Sequence, residues 1–505
     1  MKQYLFLAAL SIAATAAQAQ DSGLNTSADA VRFATDNING SARFRGMSGA
    51  FGAVGGDVSA MNINPAGSAI FNFNTGTGSI TSYNMSNQSD LFGTRTKQRD
   101  NSFELNQLGA VFVFNSANEA ATMRKFTLGF NYENTNNFDN STFTAGINQR
   151  NTAADYFLRY ANGVGNEGGI TLDALQNSSF QDLSYIDQQA YLGYNGYVFN
   201  PVSTDGTNAA YTSNIPSANN YQELYVDTRG YNAKVALNFA AQFKSWLYVG
   251  ANLNVHFTDL IKTTSFYEEY TGSADSGLQA LRFNNERYTY GGGFSFNLGA
   301  IAKVTEDFRV GLAYESPTWY RLQDELRQRI SVGCPDCGTG GNTIVTDPGV
   351  TMIIDSYSLQ TPAKYTGSAA YIIAKQGLIS IDYSLKDYST TQFRNSGYTM
   401  VNNELSNNLV AASEVRIGAE WRIKAFSMRG GYRFEQSPYK DGNTMGDLTG
   451  FSGGLGFAFG NQRLDLAYSY FKRTMETPLL TAGFANDAHI RNVNNNVTLS
   501  YTIDL

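Results

Sequence analysis

The chain has 505 residues, and its 43 acidic against 36 basic side chains give a net charge of −7, which argues against nucleic acid as a partner. Mean hydropathy is −0.29, and beyond the N-terminal stretch no run of about 18 apolar residues occurs, so no transmembrane helix is available. Yet 31 Tyr, 33 Phe and 49 Gly stand beside 9 Pro and 2 Cys, the composition of an outer-membrane β-barrel, where only alternate residues need be apolar. A secreted soluble β-protein of this length shares that composition, so the pattern along the chain has to decide.

Residues 1–19 read as a signal peptide: Lys2, an apolar stretch from Leu5 to Ala16, and Ala17-Gln18-Ala19 before Gln20. Residues 20–45 are polar and hold one short amphipathic helix with Ala30, Val31, Phe33 and Ala34 on its apolar face and Ser27 or Asp29 as its N-cap. Next comes Gly46 to Gly67, rich in glycine and ending in Asn64-Pro65-Ala66-Gly67. Pro65 lacks a backbone donor and holds Asn64 extended, so the segment cannot run on as a regular helix. A compact plug inside something larger and a flexible leader both suit it.

From residue 69 the period becomes two. Strands are expected near 69–83, 103–114, 125–137, 231–243, 246–260, 288–304, 308–320, 364–374, 378–388, 410–423, 426–435, 448–459, 464–472 and 492–505. Short turns such as Lys244-Ser245 and Gly460-Asn461 alternate with long connections near 84–102, 138–227, 261–287, 321–362, 389–409, 436–447 and 473–491. That alternation predicts an all-β fold: a transmembrane antiparallel barrel of about 14 strands, with short turns periplasmic and long loops extracellular. A helix is expected around 172–192 within the longest connection. Leu247, Val249, Ala251, Leu253, Val255 and Phe257 should face lipid, and Asn252, Asn254, His256 and Thr258 the lumen. In the 410–435 hairpin the lumen face carries Arg416, Glu420, Arg422, Arg429, Arg433 and Glu435.

Gly52-Ala53-Val54-Gly55-Gly56-Asp57-Val58-Ser59-Ala60 leading into Asn62-Ile63-Asn64-Pro65-Ala66-Gly67 resembles the N-terminal hatch of the FadL family, outer-membrane transporters of long-chain fatty acids and other hydrophobic compounds. Val415–Tyr439, Phe451–Tyr470, Gly311–Pro317 and Leu359–Tyr371 resemble strands of the same family, whereas 138–227 does not align. The resemblance implies a hatch over residues 20–68, a barrel over 69–505, and passive, hatch-gated passage of a hydrophobic small molecule through the outer membrane by a monomer. It gives Asp57, Asn64, Pro65, Ala66 and Gly67 a gating role, beside the alternative of a plain turn joining plug to barrel.

A fatty acid carries one carboxylate, so Arg416, Arg422, Arg429 and Arg433 are candidate contacts for it, or else they pair with lumen acids and brace the wall. Cys334 and Cys337 read as a local disulfide, since half a zinc site lacks its second pair. No catalytic set, metal site or cofactor motif stands out. A lateral exit is expected at the third strand, where Asn134 to Asn137 are too polar for lipid and a bulge would open the wall. The alternative function is a surface adhesin or ligand-binding barrel that uses 138–227 and transports nothing.

Overall fold

The computed structural model describes residues 24–118, 121–164, 168–215, 219–270, 277–335, 342–484 and 487–505. The signal-peptide reading and Cys337 lie outside the described residues. The chain forms a 14-strand antiparallel β-barrel with the N-terminal region packed inside it. Its strands are β1 (Thr75–Leu91), β2 (Thr94–Asn115), β3 (Met123–Asn137 and, after a break, Asn140–Asn148), β4 (Asn220–Phe243), β5 (Leu247–Glu269) and β6 (Ala280–Lys303). They continue as β7 (Phe308–Glu315 and Trp319–Gly333), β8 (Tyr357–Gln360 and Lys364–Ile373), β9 (Gly377–Asp387) and β10 (Ala411–Ile423). The last four are β11 (Phe426–Glu435), β12 (Leu448–Phe459), β13 (Gln462–Pro478) and β14 (Asp487–Asp504). Each strand pairs with the next, and β14 closes on β1 from His489↔Asp90 to Asp504↔Thr75.

Facing follows the alternation. Leu253 and Val255 are exposed while Asn252, Asn254, His256 and Thr258 are buried. Ile417, Trp421, Phe426 and Met428 face out, with Arg416, Glu420, Arg429 and Arg433 buried opposite them.

The connections differ from the sequence reading. Residues 84–102 are not a loop: β1 and β2 run on as one ladder to a two-residue turn at Phe92-Gly93. The expected loops 138–227, 261–287, 321–362 and 473–491 likewise contain long strand extensions, such as Asn220–Thr228 of β4. The cause is height. β4 has 24 residues and β5 has 23, whereas a crossing needs about 9–11. The upper halves project beyond lipid, where the outer face needs no apolar residues and the period-two signal fades. On the opposite side the wall is low, with only 10 residues in β11.

Between β3 and β4 the chain forms a cap. Helices α3 (Ala153–Ala161), α4 (Leu172–Asn177) and α5 (Tyr185–Asn195) pack on the tall strands. Tyr156, Phe157 and Phe199 of the cap share a core with Phe266 of β5 and Phe283 of β6. The helix expected at 172–192 is thus two helices, separated by a turn at Phe180–Asp182. Cys334, buried beside this core, is disulfide-bonded.

Leu455 lies on the lipid face near the middle of β12, 61% exposed. Leu455→Arg is expected to destabilise the barrel by about 2–4 kcal/mol in urea unfolding from lipid vesicles. Ile353→Arg, on the projecting extracellular part, should stay within about 0.5 kcal/mol of the parent.

Candidate functional site: the hatch, the lumen and a seam in the wall

The hatch begins high in the lumen. Helix α1 (Ser27–Ala34) is capped by Thr26, one residue before the expected Ser27: the Thr26 amide donates to Asp29 at 3.1 Å and the Asp29 amide donates back to the Thr26 hydroxyl at 3.3 Å. Threonine with an acid three residues on is a reciprocal capping box. The apolar face of α1, with Val31 and Phe33, packs against Tyr320, Leu322, Tyr357 and Leu405. Arg287 of β6 pins the helix start by donating to Asp29 at 3.0 Å and to Asp324 at 2.8 Å. Burial alone would raise the Asp29 carboxyl, but Arg287, Lys262, Arg32 and the Thr26 hydroxyl hold it well below the usual carboxylate range.

Lower down, α2 (Ala42–Gly46) is capped by Ser41, whose hydroxyl donates to Asp57 at 2.9 Å. Asp57 in turn caps the 3₁₀ turn Val58–Asn62 by accepting from the Ser59 amide at 3.0 Å. Two extended caps facing each other fold the hatch back on itself, and Arg43 ties it to the wall through Glu420 at 2.8 Å.

Asn64 and Pro65 open the last turn, Pro65–Ile70. The Asn64 side chain is buried and donates to the Gly52 carbonyl at 2.8 Å and the Ala300 carbonyl of β6 at 3.0 Å; its oxygen accepts from the Ala66 amide at 3.2 Å. The Pro65 carbonyl accepts from Asn238 of β4 at 3.0 Å, and Gly67 accepts from the Gly56 amide at 3.1 Å. The wall meets this turn with glycines. A Cβ on Gly250 of β5 would lie 2.5 Å from the Pro65 backbone, and one on Gly299 of β6 would collide with Asn64 Oδ1. The predicted gating residues therefore form one seated unit, from Asp57 at one end to Gly67 at the other. Sequence reasoning missed its socket, because a lone glycine in a strand does not reveal what it faces.

The lumen ladder is closed on itself. Arg416 and Arg433 both donate to Glu414 at 2.7 Å, and Arg433 also to Glu435 at 2.7 Å. Arg429 bridges Glu420 and Asp465 at 2.7 Å each, and Arg422 meets Glu420 at 2.7 Å. Arg433 lines a small polar cavity with Lys364, Lys386, Asp36 and Tyr388, beside the apolar cluster around α1.

The wall itself has a seam. β2 and β3 pair only from Gln107↔Glu133 down to Asn115↔Lys125. Above that level β3 shifts register between Asn134 and Asn136, breaks, and swings inward behind β1, where Asn87 donates to the Ser141 carbonyl at 2.7 Å. Side chains lace the seam: Asn137 to Ser102 at 2.8 Å, Asn134 to Glu104, Arg229 of β4 to Asp100 at 2.6 Å, and the Thr96 hydroxyl to the Phe143 carbonyl. The Asn39 side chain of the hatch donates to the Asn134 carbonyl at its base.

The family model for outer membrane protein transport proteins (OMPP1/FadL/TodX) matches residues 195–502. No curated protein matches the chain. Among solved structures, a Pseudomonas aeruginosa FadL homologue aligns at 12% identity with a TM-score of 0.54, covering 93% of this chain and 99% of that one. The Pseudomonas putida toluene transporter TodX aligns at 14% identity with a TM-score of 0.50, covering 94% and 100%. At such identities these two likenesses show the fold.

Two outcomes test the seating. Gly250→Ala and Gly299→Ala should leave the barrel folded, with heat-modifiable gel migration unchanged, but raise conductance in planar bilayers. Gly430→Ala, whose added Cβ meets nothing within 4 Å, should change neither. Asp29 stays ionised throughout the neutral range, so its anchoring is lost only as pH falls through its depressed pKa. A spin label at Thr35 should keep its mobility from pH 8 to pH 5, whereas Asp29→Asn should mobilise it at pH 7.

The chain belongs to the OMPP1/FadL/TodX family: it is a β-barrel transport protein of the outer membrane for hydrophobic compounds, and not an enzyme.

Proposed function

We propose that the protein carries long-chain fatty acids inward by passive diffusion, acting as a monomer, with the hatch as its gate and the β2–β3 seam as its exit. The observation that supports the reading best is the seam, where backbone pairing of β2 with β3 stops and the hatch's Asn39 reaches Asn134. A hydrophobic ligand gains from leaving into lipid instead of crossing a polar plug. An amphiphile also suits what lies above the hatch. Phe33, Phe138 and Tyr320 make an aromatic wall, with ring centroids 5.9 and 5.7 Å apart, and cationic side chains stand close by. Apolar lining with a few polar groups is the usual make-up of a small-molecule site.

Arg416, Arg422, Arg429 and Arg433 remain proposed carboxylate contacts, ranked by position. Arg433 opens on a cavity next to the aromatic wall, whereas Arg422 is half exposed near the turn at Lys424-Ala425. Any carboxylate arriving at these four displaces Glu414, Glu420 or Glu435 from its partner.

Uptake of labelled long-chain fatty acid is the test, using cells that lack the protein and are complemented with variants. The intact chain should restore uptake, and Asn64→Ala, which loses three hydrogen bonds to carbonyls, should alter it. A Glu104→Cys, Asn134→Cys pair joins side chains already in contact across the seam. Oxidising that pair should block uptake and reduction should restore it. Uptake that continues through the oxidised staple would place the exit elsewhere.

A further inference from the structure

The outer face of the barrel changes character just above lipid on β13, β14, β1 and β2. Down β2 the outward residues Phe103, Leu105, Leu108, Phe112 and Phe114 are all exposed. From Phe103 to Phe114 a tilted strand climbs about 25–30 Å, the height of the apolar band of an outer-membrane barrel. Above Phe103 the same face carries Asn101 and then Arg99, Lys97 and Arg95, all exposed. Thr96, between them, points inward and donates to the Phe143 carbonyl. The pairing extends this basic face sideways. One rung joins Arg99 to Ser86, Val493 and Lys472, and the next joins Lys97 to Gln88, Arg491 and Thr474. The rung above holds Arg95, Asp90, His489 and Glu476. Arg95, Lys97, Arg99, Lys472 and Arg491 thus share these rungs with only Asp90 and Glu476, on a chain of net charge −7. Asp90 is already taken by Arg95 at 3.0 Å. Among the described residues, Lys97, Arg99, Lys472 and Arg491 make no side-chain hydrogen bond or ion pair. Arginines elsewhere on the outer wall are engaged: Arg229 by Asp100 at 2.6 Å, Arg282 over the Tyr267 ring at 4.7 Å, and Arg329 near Asp347 at 3.9 Å. Like charges on neighbouring strands repel, so a cluster of this kind is stabilised by an anion.

We propose that this face binds the phosphate groups of the phosphorylated glycolipid of the outer leaflet, a headgroup of the lipid A type. Height, chemistry and spacing all support it. The cluster lies on the long-loop rim, so the headgroup that meets it belongs to the outer leaflet. Phe103, Val497 and Tyr468, exposed below it, offer an apolar surface to the acyl chains of the same lipid. A guanidinium fork matches phosphate oxygens, and lysine adds point charge beside it. Same-face neighbours lie about 7 Å apart along a strand, and adjacent strands about 5 Å apart. Lys97, Arg99, Lys472 and Arg491 therefore spread over a patch the size of one sugar headgroup, which suits a lipid with more than one phosphate. The contact fixes the height of the barrel in the outer leaflet. It does not depend on which molecule the barrel carries.

The test titrates the purified protein, in detergent micelles, with diphosphoryl lipid A, with lipid A stripped of its phosphates, and with phosphatidylglycerol, and follows bound lipid by native mass spectrometry. The intact chain should bind diphosphoryl lipid A about tenfold more tightly than either other lipid, and added salt should weaken that binding. Replacing Lys97→Gln, Arg99→Gln and Arg491→Gln together should weaken it about tenfold, the scale of three partly exposed charge contacts. Arg321→Gln, Arg327→Gln and Arg329→Gln together make the same charge change on the outer face of β7 and should leave it within about twofold. Gel migration of the unheated protein confirms that both variant barrels are folded. Equal weakening by the two triple variants would reduce the effect to overall charge and overturn the site. Phosphatidylglycerol or the stripped lipid binding the intact chain as tightly as diphosphoryl lipid A would overturn it too, whatever the variants do.

Discussion

In hydrocarbon every backbone N–H and C=O has to find a partner within the protein, and a closed antiparallel barrel is the only sheet that provides this. Most of the architecture here follows from that constraint. Every strand is paired on both sides through the membrane band, and Asp504 closes on Thr75 to remove the edge. A barrel of this girth leaves a lumen too wide for its own side chains, so the N-terminal residues fill it. Where the β2–β3 ladder lapses, above Gln107↔Glu133, the chain supplies side-chain bonds and a hatch contact instead of backbone pairing. The lapse sits beside the plug, where we propose the exit.

The hatch is held by matched polar groups as well as by small apolar clusters around Phe44, Met47 and Phe51 and around Val58 and Met61. Asn64 serves carbonyls from the hatch and from β6, Gly52 donates to Asp382, and Ser68 reaches Asn238. Each such bond contributes only about 1 kcal/mol net, yet leaving a buried partner unsatisfied costs more. The seated state is therefore well defined. Glycine at positions such as 250 and 299 lets the hatch backbone touch the wall directly.

Much of the fold was legible in the sequence, for a physical reason. A lipid-spanning strand must be apolar on one face, so Leu253, Val255 and Phe257 in β5 betray it. Where strands rise above lipid that demand ends: Asn84 to Ser102 is polar on both faces and reads as a loop although it is an unbroken hairpin. The inward swing of β3 was legible only as the polar run Asn134 to Asn137. The glycine-rich hatch and its Asn-Pro-Ala turn were legible because proline and glycine limit the backbone. The ladder arginines were legible by alternation, but their partners were not, since Asp465 and the hatch's Arg43 come from distant segments.

The central claim is that a hydrophobic molecule leaves this lumen through the β2–β3 seam and not past the hatch. It is tested most directly with a long-chain fatty acid bearing a photoreactive group on its tail, cross-linked to the intact protein in outer-membrane vesicles and mapped by mass spectrometry. Adducts on the seam edges, at Phe103, Leu105, Tyr132 and Asn134, are the result predicted here. Adducts confined to the lower end of the hatch, at Phe71 to Asn74, would contradict it.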